Sequence, residues 1–145
     1  MTILRPQGPG IPLPAPTPVS RPFWDGCAVG ELRFQRCSLC GNAEFDPAWL
    51  CRSCGADDLE WQVAAGDGEI SSYSLVHRPQ TPEFVVPYVV ALVRFDEGFT
   101  MLTNVIGCTA EQVRTEQRVQ VVFTDIGEGI TLPCVQLYSE ENHGN

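Results

Sequence analysis

Two CxxC pairs ten residues apart, in the stretch CSLCGNAEFDPAWLCRSC at 37–54, constrain the fold of this chain more than any other feature. Each pair places two thiolates on the same side of a tight turn, and two such turns close a tetrahedron of sulfur ligands. Gly41 and Gly55 each follow a pair and can relieve the backbone strain of the turn. The spacing therefore predicts a metal site formed by Cys37, Cys40, Cys51 and Cys54.

Zinc is the metal that this spacing favours, because Zn²⁺ takes four thiolates in a closed tetrahedral site. A rubredoxin-like iron site uses the same ligands, so iron remains an alternative on the ligand set alone. A thioredoxin-type redox site would place one CxxC at a helix start in a βαβ unit, and none is predicted here. A catalytic zinc keeps one coordination position open, whereas four cysteines fill all four. We therefore expect a structural Zn²⁺ ion.

The composition is that of a small acidic protein. Of its 145 residues, 43% are hydrophobic, which suffices for one domain or two very small ones. All nine basic residues are arginine, and 18 acidic residues bring the formal charge to −9. Such a charge repels the phosphate backbone, so a nucleic-acid partner is disfavoured.

The chain carries no apolar run of membrane-spanning length, and its N-terminus lacks the pattern of an export signal. We expect a soluble, cytoplasmic protein without membrane contact. Seven cysteines, an odd number, in such a chain indicate reduced thiols rather than disulfides.

Both ends of the chain are predicted to lie outside the folded domains. Residues 1–22 hold seven of the twelve prolines, which neither a helix nor a central strand tolerates. We expect a proline-rich extended tail, either a disordered leader or an arm whose apolar side chains lie on a partner. Residues 139–145 are predicted to be a polar tail in which His143 is solvated.

A short helix followed by a ribbon is predicted at 23–64. FWDGCAVGEL at 23–32 has an apolar stripe at helical spacing, ending before Gly30. The stripe consists of Phe23, Trp24, Cys27 and Ala28. Its aromatic pair is a candidate contact segment, either for this chain's own surface or for a partner. LRFQR at 32–36 and LEWQVA at 59–64 read as the strands that lead into and out of the cysteine turns.

Residues 65–138 are predicted to form a five-stranded barrel. Strand-like segments rich in β-branched and aromatic residues are separated by glycine, proline or aspartate at 68–77, 88–96, 99–107, 118–125 and 130–138. Tight turns are expected at DEG 96–98 and GEG 127–129. A short helix with a capping box is expected at TAEQVR 109–114. Five antiparallel strands with a helix between the third and fourth are typical of an OB-fold.

The loop HRPQTPEFVVPY at 77–88 is the strongest candidate for ligand binding. It joins the first two barrel strands, where OB-folds bind ligands, and its three prolines lower the entropy lost on binding. Phe84 and Tyr88 can stack on an adenine, and Arg78 can meet a phosphate. An ordinary hairpin loop with Phe84 packed onto the barrel is an equal alternative.

The sequence gives no positive case for an independent catalyst. His77 stands at the end of a strand without a visible cysteine or serine partner, and a surface histidine is the simpler interpretation. Cys27, Cys108 and Cys134 lie outside the metal motif, and the last two are in or beside apolar strands where inert buried thiols are usual. We find no glycine-rich phosphate loop.

The order of these features resembles one family. FWDGCAVGELRFQRC, CSLCG and CRSCG, LEW, GEISSYSLVHRPQTPEFVVPYVVALVRFDEG and GITLPCVQ follow its pattern across 22–138. The chain is identified as similar to the small accessory proteins that join a rubredoxin-like zinc ribbon to an OB-fold, the domain of unknown function 35 family. The resemblance implies a mostly β protein with a short N-terminal helix, a rubredoxin-like zinc ribbon and a five-stranded OB-fold barrel. The proline-rich tail is not part of the shared pattern.

The resemblance also implies a function. Such proteins bind thiolase-superfamily enzymes, including lipid-transfer-protein-like thiolases and aldolases of steroid side-chain degradation, and some are joined to hotdog-fold enoyl-CoA hydratases. We therefore expect an accessory subunit without activity alone that stabilises its partner enzyme and helps to bind or channel an acyl-CoA. Two other classes stay open: a single-stranded nucleic-acid-binding module, and a CoA-thioester enzyme that uses His77 or a free cysteine.

Overall fold

The computed structural model describes residues 2–138 of the chain. The predicted polar tail at 139–145, with His143, lies outside the described residues. A helix, a three-stranded sheet and a closed five-stranded barrel follow one another along the described chain. The predicted mostly β architecture is confirmed.

Helix α1 (Arg21–Ala28) begins two residues before the predicted start and ends two residues before Gly30, the predicted stop. A proline occupies its first turn, where the missing N–H breaks no hydrogen bond. Gly30 follows the helix at φ 79°, as expected of a stop. Phe23 and Cys27 are buried, but Ala28 is exposed, contrary to the predicted stripe. At 100° per residue Ala28 lies about 140° around the helix from Phe23, which puts it beyond the packed face.

The ribbon is a three-stranded sheet in the order β2-β1-β3. Strand β1 (Leu32–Cys37) pairs antiparallel with both β2 (Ala43–Glu44) and β3 (Leu59–Ala64). The strands predicted at 32–36 and 59–64 are confirmed. Strand β2 was not predicted, because two residues carry no readable alternation. Strand β1 ends at the first metal-motif cysteine, so the sheet fixes where the first CxxC turn begins.

The barrel has the strand order β4-β5-β6-β8-β7 and is closed by the pairing of β4 with β7. Its strands are β4 (Asp67–Val76), β5 (Tyr88–Phe95), β6 (Thr100–Val105), β7 (Arg118–Gly127) and β8 (Ile130–Leu137). One pair, β6 with β8, is parallel, which corrects the expectation of an all-antiparallel barrel. An odd number of strands cannot alternate in direction around a closed ring, so one neighbouring pair must run the same way.

The connections between barrel strands follow the predicted turn chemistry. At 96–98 the N–H of Gly98 donates to the carbonyl of Phe95 at 2.9 Å. The second turn uses positive φ at Gly127, Glu128 and Gly129. The helix expected at 109–114 is a single 3-10 turn at Ala110–Gln112, with the predicted capping box.

The ribbon, α1 and the barrel share one core built on five aromatic rings. Phe99 lies at its centre, with ring centroids 4.7 Å from Phe34, 5.0 Å from Phe95 and 5.9 Å from Phe45. Phe23 of α1 extends this phenylalanine cluster, with its ring 5.2 Å from that of Phe45. Because the cluster draws on all three parts of the molecule, the ribbon does not pack separately from the barrel.

The N-terminal residues lie against the barrel of the same chain. Leu4 is buried, and its backbone forms hydrogen bonds with the connection after β6. Neither of the two predicted alternatives, a disordered leader or an arm on a partner, describes this contact. The domain limits at 23–64 and 65–138 stay predictions. Within residues 2–138, no helix is long and apolar enough to cross a membrane.

Candidate metal centre and ligand loop

The four cysteines of the motif converge at the end of the ribbon. The Sγ atoms of Cys37 and Cys54 lie 3.7 Å apart. Those of Cys40 and Cys51 lie 3.6 Å apart, and all four sulfurs are within 4.8 Å of one another. A tetrahedron with metal–sulfur bonds of about 2.3 Å has edges of about 3.8 Å, so the sulfurs fit around a single tetrahedral ion. Among residues 2–138, no other set of three or more histidine, cysteine, aspartate or glutamate side chains converges in this way.

Two equivalent turns carry these sulfurs. The N–H of Gly41 donates to the carbonyl of Cys37, and the N–H of Gly55 donates to that of Cys51, each at 2.8 Å. Both glycines adopt the left-handed conformation, at φ 80° and 79°, where a side chain would be strained. In the second turn the N–H of Ser53 points at Sγ of Cys51 at 3.4 Å. Such N–H groups stabilise the thiolate form that binds a metal.

The environment of Cys51 favours its ionisation. The backbone N–H of Cys54, followed by that of Ser53, lowers the pKa of the Cys51 thiol to about 7. Backbone N–H groups that stabilise a thiolate suit a cysteine that binds a metal. The donor set suits a metal that prefers soft ligands, and four cysteines leave no position for water or substrate. Such a closed donor set is typical of structural metal centres.

Two buried polar side chains hold the loop between the CxxC turns. Gln35 of β1 accepts a hydrogen bond from the N–H of Ala48 at 2.8 Å and donates to the carbonyl of Ala48 at 3.0 Å. Glu44 accepts from the N–H of Arg52 at 2.7 Å and from the amide of Asn42 at 3.1 Å. Leaving either buried side chain unpaired would cost free energy, so these bonds specify one loop conformation.

This loop and the first CxxC turn present large apolar side chains to solvent. Trp49 and Leu39 are each 70% exposed, and Leu50 is 55% exposed. We call these three residues the ribbon tip. Held rigidly and exposed, a tryptophan and two leucines are suited to contact another protein. The ribbon tip was not predicted, although the pair WL directly before the third motif cysteine was its visible signal.

An apolar groove of about 240 Å³ lies between α1, the ribbon loop and barrel strands β6 and β8. Trp24 is half-buried and lines it, while its predicted companion Phe23 is buried in the phenylalanine cluster. Leu102 of β6 lines the same groove and is 64% exposed. The two residues of the predicted contact segment are therefore adjacent, but Trp24 is the more accessible.

The three cysteines outside the metal motif are buried: Cys27, Cys108 and Cys134. Burial raises the pKa of the Cys27 thiol to about 12 and also raises the pKa of the other two thiols. Protonated, inaccessible thiols are poor nucleophiles. These surroundings give no support to the alternative of an enzyme that uses a free cysteine.

The predicted ligand loop is the connection between β4 and β5. Phe84 and Tyr88 are half-buried and stack on each other, with ring centroids 6.1 Å apart at an interplanar angle of 28°. His77 and Arg78 are exposed where the chain leaves β4. The structure thus brings the two aromatic residues together and leaves the two basic residues at the other end of the loop.

Comparison with known proteins covers both parts of the chain. The family model for the ChsH2 rubredoxin-like zinc ribbon domain matches residues 24–60, and that for the ChsH2 C-terminal OB-fold domain matches residues 61–124. A chain of the solved structure described as "Ltp2-ChsH2(DUF35) aldolase" is 30% identical, with a TM-score of 0.79 over 86% of this chain and 98% of that chain.

Several curated relatives are similar. A probable enoyl-CoA hydratase alpha subunit of Thermomonospora curvata is 34% identical over 77% of this chain, and the 3-oxo-4,17-pregnadiene-20-carboxyl-CoA hydratase alpha subunit of Mycobacterium tuberculosis is 31% identical over 71%. The chain spans only about a third of the length of these two proteins, 35% and 33%.

A third relative is comparable in length to this chain. The DUF35 domain-containing scaffold protein of Methanothermobacter thermautotrophicus is 33% identical over 68% of this chain and 75% of its own length. That coverage, the two family models and the match to the aldolase structure agree with one another. The chain belongs to the DUF35 family of zinc-ribbon and OB-fold proteins.

Proposed function

We propose that this protein is an accessory subunit, without catalytic activity alone, that binds and stabilises a thiolase-superfamily enzyme acting on acyl-CoA thioesters. The observation that carries the proposal is the match to a chain of the Ltp2–ChsH2(DUF35) aldolase, which extends over 98% of that chain. A relative named as a scaffold protein supports the same role. The partner would be a lipid-transfer-protein-like thiolase or an aldolase.

The exposed apolar residues suit such a role. A protein contact needs accessible anchors that lose little conformational freedom on binding. The loop that carries Trp49 and Leu50 is already held by Gln35 and Glu44, so the partner would bind a preformed surface. We assign the ribbon tip as the principal contact, with the groove beside Trp24 as a second one.

Zinc is the metal we propose for the four-thiolate site. Its role is to take the place of a hydrophobic core that the small ribbon lacks. Metal analysis of the purified protein should give one zinc per chain. One iron per chain, with the visible absorption of an iron–thiolate centre, would replace zinc in this proposal.

A contact between the ligand loop and the acyl-CoA belongs to the same proposal. The adenine of CoA would stack on the rings of Phe84 and Tyr88, and its phosphates would approach Arg78 and His77. Substrates from steroid side-chain or fatty-acyl degradation suit the names of the hydratase and aldolase relatives. A hotdog-fold enoyl-CoA hydratase is the second candidate partner, because the chain matches a third of two hydratase alpha subunits.

Co-expression tests the proposal directly. The chain is produced with a thiolase-like enzyme encoded beside it and, in parallel, with a hotdog-fold hydratase. A complex with the first enzyme that survives size-exclusion chromatography at micromolar concentration, and no turnover by the chain alone, is the expected result. If the thiolase-like enzyme elutes separately, the proposal is overturned. Complex formation with the hydratase alone would overturn the choice of partner.

The nucleic-acid alternative is addressed by the same preparation. A formal charge of −9 disfavours phosphate binding, so we expect no mobility shift with single-stranded DNA or RNA at low salt. A salt-sensitive shift would restore that alternative.

A further inference from the structure

The N-terminal segment forms a defined contact with the connections between barrel strands. The N–H of Leu4 donates to the carbonyl of Cys108 at 2.7 Å, and the N–H of Gly107 donates to the carbonyl of Leu4 at 2.9 Å. Ile3 and Thr109 form an antiparallel bridge beside this pair. The side chain of Leu4 is 2% exposed and belongs to the main hydrophobic core. This part of the segment is therefore held by backbone pairing and by a side chain buried in the core.

A second contact lies three residues further along. The side chain of Gln7 is buried and makes two hydrogen bonds with one residue of the ligand loop, Val85. Its Oε1 accepts from the N–H of Val85 at 2.7 Å, and its Nε2 donates to the carbonyl of Val85 at 3.0 Å. Val85 lies directly after Phe84, so the segment fixes the backbone that carries the stacked aromatic ring.

A third contact completes the segment. A side-chain carbon at Gly10 would lie 3.1 Å from Cγ of Glu83, so the segment passes close to the ligand loop here. One at Gly127 would lie 3.7 Å from Pro9, which places Pro9 beside the β7–β8 turn. Residues 3–10 thus bridge three connections of the barrel that are distant in sequence. The prolines of the segment reduce the entropy that an extended chain loses when it binds.

We propose that the barrel surface formed by these three connections is a binding site for an extended, proline-rich peptide, and that residues 3–10 occupy it in cis. The site selects a buried aliphatic side chain and, three residues later, a glutamine. While occupied, it holds the ligand loop in the conformation that stacks Phe84 on Tyr88. Any effect of this loop conformation on acyl-CoA binding rests on the proposed function. The peptide-binding site itself does not, and it can be tested on the chain without any partner.

Amide hydrogen exchange in the full-length protein tests whether the segment binds as a unit. The amide of Val85 reports the Gln7 contact, and the amide of Gly107 reports the Leu4 contact. In the Leu4→Ala variant we expect the exchange of Val85 to rise at least tenfold, although Leu4 has no hydrogen bond to Val85. Gln7→Ala should in turn speed the exchange of Gly107.

Two controls separate release of the segment from general loss of stability. Gln80→Ala changes an exposed glutamine of the ligand loop and should leave both reporter amides as they are. The amide of Val93, inside the barrel, should keep its protection in all variants. If neither Leu4→Ala nor Gln7→Ala changes the other contact's reporter amide, the segment does not bind as a unit and the proposal is overturned.

Titration calorimetry tests the site in trans. A synthetic peptide with the sequence of residues 2–11, TILRPQGPGI, is added to the full-length Leu4→Ala, Gln7→Ala double variant, whose own segment binds weakly. We expect this variant to bind the peptide at least tenfold more tightly than the wild type, whose site is filled. A peptide with alanine at both positions should not bind. The proposal of a specific site is contradicted if the wild type and the double variant bind the wild-type peptide with equal affinity. It is also contradicted if the double variant binds both peptides equally.

Discussion

At the scale of single residues, the seven cysteines divide into two chemical classes. Four have their sulfurs grouped within 4.8 Å of one another at the ribbon end. The other three, Cys27, Cys108 and Cys134, are buried. The first class is positioned for metal binding, and the burial of the second suits packing.

Thiol titration should therefore distinguish the two classes, because removal of the metal should expose four reactive thiols and leave three unreactive. With metal bound, we expect no rapid reaction with a thiol reagent at pH 8, because the metal would hold four thiols and the other three are buried. A chelator should release four reactive thiols per chain, and denaturant should release all seven. Rapid reaction of a fifth thiol in the chelated, folded protein would contradict the assignment of the buried class.

Two substitutions in the hairpin between β5 and β6 should differ greatly in their effect on stability. Phe99→Ala removes the central ring of the phenylalanine cluster and should lower the free energy of unfolding by about 3–5 kcal/mol. Asp96→Asn removes a half-exposed ion pair with Arg118 and should cost less than about 1 kcal/mol. Denaturant titration of both variants measures the difference, and similar losses would contradict the central role of Phe99.

The pH dependence of the Asp96 contribution has a definite sign. The side chain of Arg118, by its hydrogen bonds, lowers the pKa of Asp96 in the folded protein. The contribution is therefore present above the unfolded pKa of about 3.9 and is lost as pH falls through the lowered folded value. The stability difference between wild type and Asp96→Asn should be constant from pH 5 to 8 and shrink only in acid.

Single-residue chemistry was predictable where partners are close in sequence. The metal ligands could be read from spacing alone, because a CxxC turn is a local structure. Gln7 and Gln35 could not, because their partners are 78 and 13 residues away and become neighbours only after folding. A glutamine in a loop or strand has no sequence signal for burial.

At the scale of elements, strand patterns were read with small errors at the ends. All seven predicted strands are present because each alternates or is strongly apolar, and glycine, proline or aspartate bounds most of them. The parallel closure between β6 and β8 follows from the strand count, not from any local pattern. The ribbon tip was invisible for another reason: exposure of Trp49 depends on the hydrogen bonds that hold its loop.

The ribbon tip should dominate association with the partner enzyme. Replacing Trp49 with serine removes the largest exposed anchor, so we expect the Kd of the complex to rise at least tenfold, about 1.4 kcal/mol or more. The matched control is Val63→Ser, which removes an apolar side chain that is 55% exposed on β3 of the same ribbon. Calorimetry or sedimentation of the co-expressed complex gives both values. An unchanged Kd for Trp49→Ser would remove the ribbon tip from the interface.

At the scale of the whole molecule, the phenylalanine cluster makes one folding unit of two sheets. Arg36 adds to this connection, because it donates to the carbonyl of Gly41 in the ribbon and to that of Glu97 in the barrel hairpin. Ordered motifs along a sequence suggest separate modules, and the sequence contains no signal that their cores merge. The contacts between distant rings exist only in three dimensions.

Thermal unfolding should show this unity. Because the ribbon and the barrel share their core, we expect one cooperative transition with metal bound and a lower midpoint after chelation, detected in both sheets. Circular dichroism and differential scanning calorimetry measure it. Two separate transitions, with that of the barrel unaffected by chelation, would show that the ribbon folds independently.

The exposure of the ribbon tip should make the fluorescence of Trp49 sensitive to assembly. The chain has three tryptophans, and Trp49 is the one that stands mostly in water, beside a metal ligand and at the proposed partner contact. Its fluorescence should lie at long wavelength in the free chain and shift to the blue when a partner covers it. A Trp49→Phe variant would identify this signal, so assembly of the complex could be followed in real time without a label.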